Sequence, residues 1–397
     1  MAGTLYIVGG GMNQGEEEIL SAFIASAGGP AAKFAFVVSA SGEDPDDTFR
    51  SYVEDFARLG VARENCILIP LYAWHVKDER GFNAYTGDEE SLPALLEGVT
   101  GAWFTGGDQF HTAQCFLRPD GTHTRALGIL HEIYQNGGAM GGSSAGAAIM
   151  SRVMIGGGNN RGTLHYPTVF GYDTYKEIDE KNDPVAPLIL VQGLGFFPDG
   201  VVDQHFNKRP RLLRSIEACL ANREGVRIGF AVSEDTALVY HEGNMSVLGS
   251  AGVYIIDCRN AVKIGNGCYD GVMLHAIHKG DSFDEASAEV VLAGDCTGGR
   301  ARSVALDYVS GAIIDSPVFD SFIDINLLHN RDDSMYFCDK KNKRYAKGIV
   351  VYEAYEKIYA VVLNYYRDDK TKGYRGAHTS FANVELAVRT SEIQLMS

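Results

Sequence analysis

The first half of the chain repeats one unit, a short apolar run followed by a segment with helical spacing, and that repeat limits the fold more than any other feature. LYIVG from Leu5, KFAFVVSA from Lys33 and CILIPL from Cys66 read as strands. EEEILSAFIASAG has an acidic first turn suited to the positive end of a helix dipole, and DPDDTFRSYVEDFARLG has capping residues ahead of it and Gly60 behind. GAWFTGG from Gly101 and GGAMGGSSAG from Gly137 are two further strand-to-turn transitions, and TRALGILHEIYQNGG between them carries the 3.6-residue spacing of a helix ended by glycine. Strands alternating with helices imply an α/β fold, a mostly parallel sheet flanked by helices.

From about 154 to 198 the alternation breaks into a Gly/Asn/Tyr/Asp-rich stretch, read as a long loop or small excursion; loops of that length in compact domains tend to be functional. Regular patterns return in VVDQHF, in RLLRSIEACLANREG and in RIGFAVSE, TALVYHEG and MSVLGSAGVYIID. Beyond about Gly294 the chain turns tyrosine-rich and polar. The reading is therefore an α/β unit over 1–293 and a C-terminal extension over 294–397, a small α/β or β-rich module. In it GIVVYEAYEKIYAVVLNY fits strand and helix equally, and its tyrosines suit a dimer interface, ligand contacts or core packing. A homodimer is expected.

At 397 residues, 45% hydrophobic and 22% charged, the chain can bury a large core, and a net charge of −16 argues against a nucleic-acid partner. No run approaches the roughly 20 apolar residues of a membrane span. MAGTLYIVGGG lacks a basic leader. The seven cysteines (Cys66, Cys115, Cys219, Cys258, Cys268, Cys296, Cys338) form no CxxC pair, so reduced thiols in a cytoplasm are expected, with no metal site. His111 and His123 lack metal-ligand spacing. Gly9-Gly10-Gly11 follows the first strand, but Gln14 stands where GxGxxG needs its third glycine, so a dinucleotide reading fails.

Gly142-Ser143-Ser144-Ala145-Gly146 is a GxSxG pentapeptide between a strand-like and a helix-like segment, the context of a nucleophile elbow. Gly/Ser-rich turns also produce that pattern by chance. A serine nucleophile needs a base and oxyanion donors. His205 follows an apolar run that places it at a strand end, and Glu234 and Asp235 sit at the next strand end. Either carboxylate could orient the imidazole; Glu234 is preferred. The oxyanion amides would come from Ala145 and from the glycine turn at Gly107, where the missing Cβ allows close approach. Arg209, Arg211 and Arg214 follow His205 at +4, +6 and +9; a helix starting near Pro210 would align two of them, either as a carboxylate pocket or as a solvated face.

Taken in order, FTGGDQ (104–109), GSSAGAAIM (142–150), DQHFNKRPRLLR (203–214) and SEDTAL (233–238) resemble the cyanophycinases, over roughly residues 1 to 293. The histidine motif with its spaced arginines is the specific part. The resemblance implies a class I glutamine amidotransferase-like sandwich and a serine exopeptidase without cofactor or metal that releases β-Asp-Arg from cyanophycin. It implies Ser144 as nucleophile, His205 as base, Glu234 as orienting acid and Gly107 with Ala145 as oxyanion donors. Asp108, Gln109, Asp203, Gln204, Arg209, Arg211 and Arg214 would shape the substrate pocket. Ser143 stands where threonine is expected, and the 154–198 excursion is longer than expected, leaving Asn159, Asn160 and Arg161 unassigned. The alternatives are an aspartyl or isoaspartyl dipeptidase of the same family and an inactive polymer-binding relative.

Overall fold

The computed structural model describes residues 2–42, 44–72, 86–172, 185–198, 200–209, 211–294, 337–338, 344–355, 357–368, 370–375 and 379–393. Pro210, part of the excursion (173–184) and the first stretch of the extension (295–336) lie outside them.

The expected alternation is present from the start: β1 (Thr4–Val8), α1 (Glu16–Ser26), β2 (Lys33–Val37), α2 (Pro45–Arg58), β3 (Cys66–Ile69), α3 (Leu92–Leu96) and β4 (Val99–Phe104). It continues through α4 (Gln109–Phe116), α5 (Arg125–Gln135), β5 (Ala139–Ser143) and the short α6 (Ala145–Ala148). α2 starts as its sequence dictates, with the Asp44 carboxylate accepting from Asp46 N–H at 2.8 Å and Pro45 in the first turn.

Each parallel strand is apolar on both faces because both faces are covered. In β1, Leu5 and Ile7 enter the core beneath α3, α4 and α5, whereas Tyr6 and Val8 enter the core beneath α1 and α2. β2 divides likewise, Ala35 and Val37 to one side and Phe34 and Phe36 to the other. This is the period-2 pattern of a buried strand with no polar face to alternate.

After α6 come β6 (Val153–Gly157), α7 (Asn160–His165), β7 (Val169–Phe170) and β8 (Ile189–Gln192). The excursion read as a long loop thus holds a three-stranded sheet in the order β6-β8-β7. Its strands are only two to five residues long, which hid them from a periodicity reading. Then follow β9 (Val201–Asp203), α8 (Leu212–Ala221), β10 (Ile228–Val232), β11 (Thr236–His241), β12 (Asn244–Gly249), β13 (Val253–Asp257), β14 (Val262–Gly265), β15 (Cys268–Ile277), β16 (Ser282–Asp284) and β17 (Glu289–Val291). The extension adds β18 (Phe337–Cys338), β19 (Arg344–Ala354), β20 (Lys357–Arg367), β21 (Lys372–Arg375) and β22 (Thr379–Ile393).

One sheet has nine strands in the order β17-β16-β12-β11-β1-β5-β4-β2-β3. The run from β1 to β3 is parallel, and from β1 outward through β11, β12, β16 and β17 every pairing is antiparallel. The expectation of a mostly parallel sheet is therefore corrected: it holds for the half joined through helices, and short turns such as that between β11 and β12 make the other half antiparallel.

A second sheet runs β18-β19-β20-β22-β15-β13-β10-β9, with β22 paired to β15. Val361, Leu363, Tyr365, Phe381 and Leu386 of the extension share one core with Leu212 and Ile216 of α8 and Tyr269 and Leu274 of β15. The segment ambiguous between strand and helix is the β19–β20 hairpin. Tyr355 at its turn hydrogen bonds Tyr166 through their hydroxyls, and the Tyr359 ring lies 4.6 Å from that of His165, tying the extension to the end of α7.

Candidate active site

The carboxyl ends of β1, β5, β4 and β2 lie side by side, the place where open α/β sheets bind ligands. Ser144 follows β5 directly, with φ 56° and ψ −108°, a conformation costly for a residue with a Cβ. The flanking glycines make it possible. A Cβ at Gly142 would lie 2.3 Å from the Gly146 carbonyl oxygen, and one at Gly146 would lie 2.2 Å from the Phe104 carbonyl oxygen. The turn lifts the Ser144 side chain off the sheet edge while α6 starts beneath it.

Three distant side chains meet there. The Ser144 hydroxyl lies 2.7 Å from His205 Nε2, and His205 Nδ1 lies 2.7 Å from Glu234 Oε1. His205 follows β9 and Glu234 follows β10, which pair in parallel, so two adjacent strand ends present imidazole and carboxylate at matching depth. The Glu234 amide donates to Asn207 Oδ1 at 2.8 Å, which ties the carboxylate's backbone to the histidine loop. The choice between Glu234 and Asp235 was open in sequence, and geometry separates them. The Asp235 carboxylate turns away and accepts from the amides of Asn13 at 2.6 Å and Gly15 at 2.9 Å.

Burial pushes the His205 pKa below its ordinary value; the Glu234 hydrogen bond works against this, and the nearby charges of Arg209 and Arg211 add to it. The imidazole beside the Ser144 hydroxyl is thereby kept neutral at neutral pH.

Gly106 sits next to the serine: a Cβ built there would lie 3.4 Å from Ser144 Cβ. Gly107 has φ 134°, and a Cβ on it would lie 1.8 Å from the Ala40 carbonyl oxygen, so only glycine fits the turn. Among the described residues neither the Gly107 nor the Ala145 N–H is taken by a protein acceptor. Asp108 caps α4 by accepting from Phe110 N–H at 2.9 Å. Gln109 donates through its side-chain amide to the carbonyls of Gly156 at 2.7 Å and Ile155 at 3.2 Å, binding the excursion's β6 to the glycine turn.

The arginine series divides. Arg209 is exposed, whereas Arg211 and Arg214 are 6% and 2% exposed. Arg214 donates twice to Asp203, at 2.8 and 2.5 Å, and to the Gly158 carbonyl at 2.6 Å. Arg211 donates to the Gln204 carbonyl at 2.6 Å and to the Gln204 side chain. Burial penalises the Asp203 carboxylate, but Arg214, Arg211 and Ser215 outweigh it and hold its pKa below the usual carboxylate range. The helix carrying these residues is α8, with Arg211 at its N-cap and a face buried from Leu212 to Cys219, so it is not a solvated face.

Asn160, left unassigned in sequence, is 1% exposed and accepts from the Leu213 and Arg214 amides at 2.9 and 3.1 Å. It caps α8 from a different helix. Breaking the buried pair by Arg214→Met is expected to cost about 3–5 kcal/mol in denaturant unfolding, because Asp203 would keep a buried charge without its main partner. A change below about 1 kcal/mol would show that the pair is solvated.

A cavity of about 790 Å3, lined among others by Arg118, Tyr172, Gln192 and Arg223, includes none of Ser144, His205 and Glu234 in its wall. Of the seven cysteines, Cys66, Cys115, Cys219, Cys258 and Cys268 are free thiols, and Cys296 lies outside the described residues. Among the described residues no cluster of His, Cys, Asp and Glu could hold a metal ion, and no helix is long and apolar enough to cross a membrane.

Comparison with known proteins places this chain in a family. The cyanophycinases of Synechococcus elongatus and Thermosynechococcus vestitus are each 30% identical over 285 residues, 69% of this chain and 76% of theirs. The crystal structure of a peptidase from an acI-B1 Actinobacterium is 20% identical and covers 72% of this chain and 97% of its own, with a TM-score of 0.48. The profile of "Peptidase family S51" matches residues 5–248, from β1 to the end of β12, a span that contains Ser144, His205 and Glu234. The chain belongs to peptidase family S51 and is a cyanophycinase-like serine peptidase, a hydrolase.

Proposed function

We propose that this peptidase hydrolyses cyanophycin, multi-L-arginyl-poly-L-aspartate, to β-Asp-Arg dipeptides through a Ser-His-Glu mechanism. The observation that carries the reading is the unbroken chain of hydrogen bonds from the Ser144 hydroxyl through His205 to Glu234. The 30% identity to cyanophycinases supports the substrate.

In the first half-reaction Ser144 Oγ attacks a backbone Asp–Asp carbonyl while His205 Nε2 takes the hydroxyl proton. Glu234 accepts from His205 Nδ1–H, which fixes the tautomer and stabilises the imidazolium. The developing oxyanion is received by the amides of Gly107 and Ala145, each worth about 2.7–4 kcal/mol of transition-state stabilisation by analogy with other serine hydrolases. His205 then protonates the departing amine, leaving an ester on Ser144. Water, deprotonated by the same imidazole, cleaves that ester and restores the serine.

Arg209 offers an exposed guanidinium to substrate carboxylates. Arg211 and Arg214, with Asp203 and Gln204, shape the pocket from behind as a buried scaffold, and Asp108 and Gln109 shape it from the glycine turn. The class I glutamine amidotransferase-like sandwich is our assignment for the fold, with residues 1–293 as the catalytic unit and 294–397 as a C-terminal extension that completes the second core. The free thiols support a cytoplasmic setting, and a homodimer is our expectation for the assembly.

Incubation of the protein with purified cyanophycin, followed by mass spectrometry, is expected to yield β-Asp-Arg as the main product. Turnover of short Asp-X dipeptides with the polymer left intact would replace this reading by an aspartyl dipeptidase. Tight binding of polymer without any product would replace it by a binding protein.

A further inference from the structure

Gly9-Gly10-Gly11 fails as a nucleotide motif, yet the structure packs it against the candidate triad. Three consecutive carbonyls at this turn accept the backbone amides of three distant segments. Val8 O accepts Ser144 N–H at 2.9 Å, Gly9 O accepts His205 N–H at 2.8 Å, and Gly10 O accepts Asp235 N–H, next to Glu234, at 2.8 Å.

All three donors lie in the left-handed region, with φ of 56°, 54° and 56°, although none is glycine. Such a backbone costs about 1–3 kcal/mol per residue and persists only where the surroundings over-determine it. The turn also touches the reacting side chains. A Cβ at Gly10 would lie 2.3 Å from His205 Cε1, and one at Gly11 would lie 2.7 Å from Glu234 Oε2. The far end of the segment is fastened by Asp235, 8% exposed, whose carboxylate accepts from Asn13 N, Gly15 N and Ser250 Oγ.

We propose that the 8–15 segment, locked by Asp235, is the positioning element of this active site: its successive carbonyls set the spacing of hydroxyl, imidazole and carboxylate, and its glycines let it lie against the back of the His205–Glu234 pair. Gly9, Gly10, Gly11 and Asp235 are positioning residues that act through the triad. The inference rests on the triad reading. Three segments that meet only in the folded chain need a common reference, since a misplacement of about 1 Å can cost roughly 10²-fold in rate.

Gly10→Ala tests this against Gly29→Ala, a control at φ 86° with nothing within 4 Å of an added Cβ and far from the site in sequence and sheet. Both substitutions strain a left-handed backbone. Gly10→Ala is expected to lower kcat about 10²-fold with KM little changed. It should also move the acid limb of kcat/KM to lower pH, because the displaced ring loses part of the Glu234 hydrogen bond that supports its protonated form. Gly29→Ala should lower Tm while keeping the wild-type kcat and pH profile. The proposal is overturned if Gly10→Ala keeps wild-type kcat and acid limb, or if Gly29→Ala shifts both in the same way. Should Gly10→Ala not fold, Asp235→Asn replaces it: the same kcat-selective loss, smaller in size, supports the proposal, and wild-type kinetics overturn it. Polymer hydrolysis surviving in Ser144→Ala would instead sink the triad reading itself, whereas an inactive Ser144→Ala beside a wild-type Gly10→Ala removes only the positioning role.

Discussion

Ser144→Ala is expected to lower kcat for polymer hydrolysis by about 10⁴–10⁶-fold, the range found when the nucleophile of a serine hydrolase is removed. The fold should be unaffected. Alanine keeps the Cβ that the elbow already accommodates at φ 56°, and among the described residues the only side-chain hydrogen bond lost is the one to His205 Nε2. Substrate binding should persist, so a substrate-trapping complex is expected, its Kd for the polymer measured by direct binding. Single-turnover assays with product detection by mass spectrometry provide the measurement. Retention of more than about 1% of the wild-type rate would mean that the attacking group lies elsewhere, because water-level chemistry in such a site is several orders of magnitude slower.

Glu234→Gln carries the second largest effect, a loss in kcat of about 10⁴-fold. The carboxylate accepts from His205 Nδ1, which leaves Nε2 free to take the serine proton; an amide can donate to Nδ1 instead and stabilise the wrong tautomer. The pH dependence has a definite sign. Only neutral imidazole acts as base, so kcat/KM is full above the His205 pKa and falls as pH drops through it. Burial, with Arg209 and Arg211, places that pKa below the ordinary 6.5, and Glu234 is the main group holding it up. The wild-type acid limb is therefore expected below pH 6.5, and in Glu234→Gln it should lie lower still. A limb that rises in the variant, or an unchanged kcat, would mean that Glu234 does not support the imidazole.

The parts of the site that sequence could read are those whose chemistry is local. GxSxG between a strand and a helix announces an elbow because the glycines needed to avoid Gly142–Gly146 and Gly146–Phe104 overlaps stand within two residues of the serine. His205 and Glu234 were legible as strand-end residues, since a side chain just past a buried strand must emerge at the sheet edge. What sequence left open was register-dependent. Arg211 and Arg214 read as a carboxylate pocket or as a solvated face, and their burial depends on Asp203, three-dimensionally adjacent but on another element. The 154–198 excursion hid a small sheet because strands of two to five residues show no period.

The division of labour follows from the reach of the forces involved. Periodicity, capping and glycine placement act within a few residues, so the residue order sufficed for the β/α alternation, for the sharp turn at Ser144 and for the candidate histidine and carboxylates. Which carboxylate faces the imidazole, how three amides find the carbonyls of Val8, Gly9 and Gly10, and that β22 pairs with β15 across a hundred residues were decided only by the folded chain. Those contacts join segments whose separation along the chain carries no local signal.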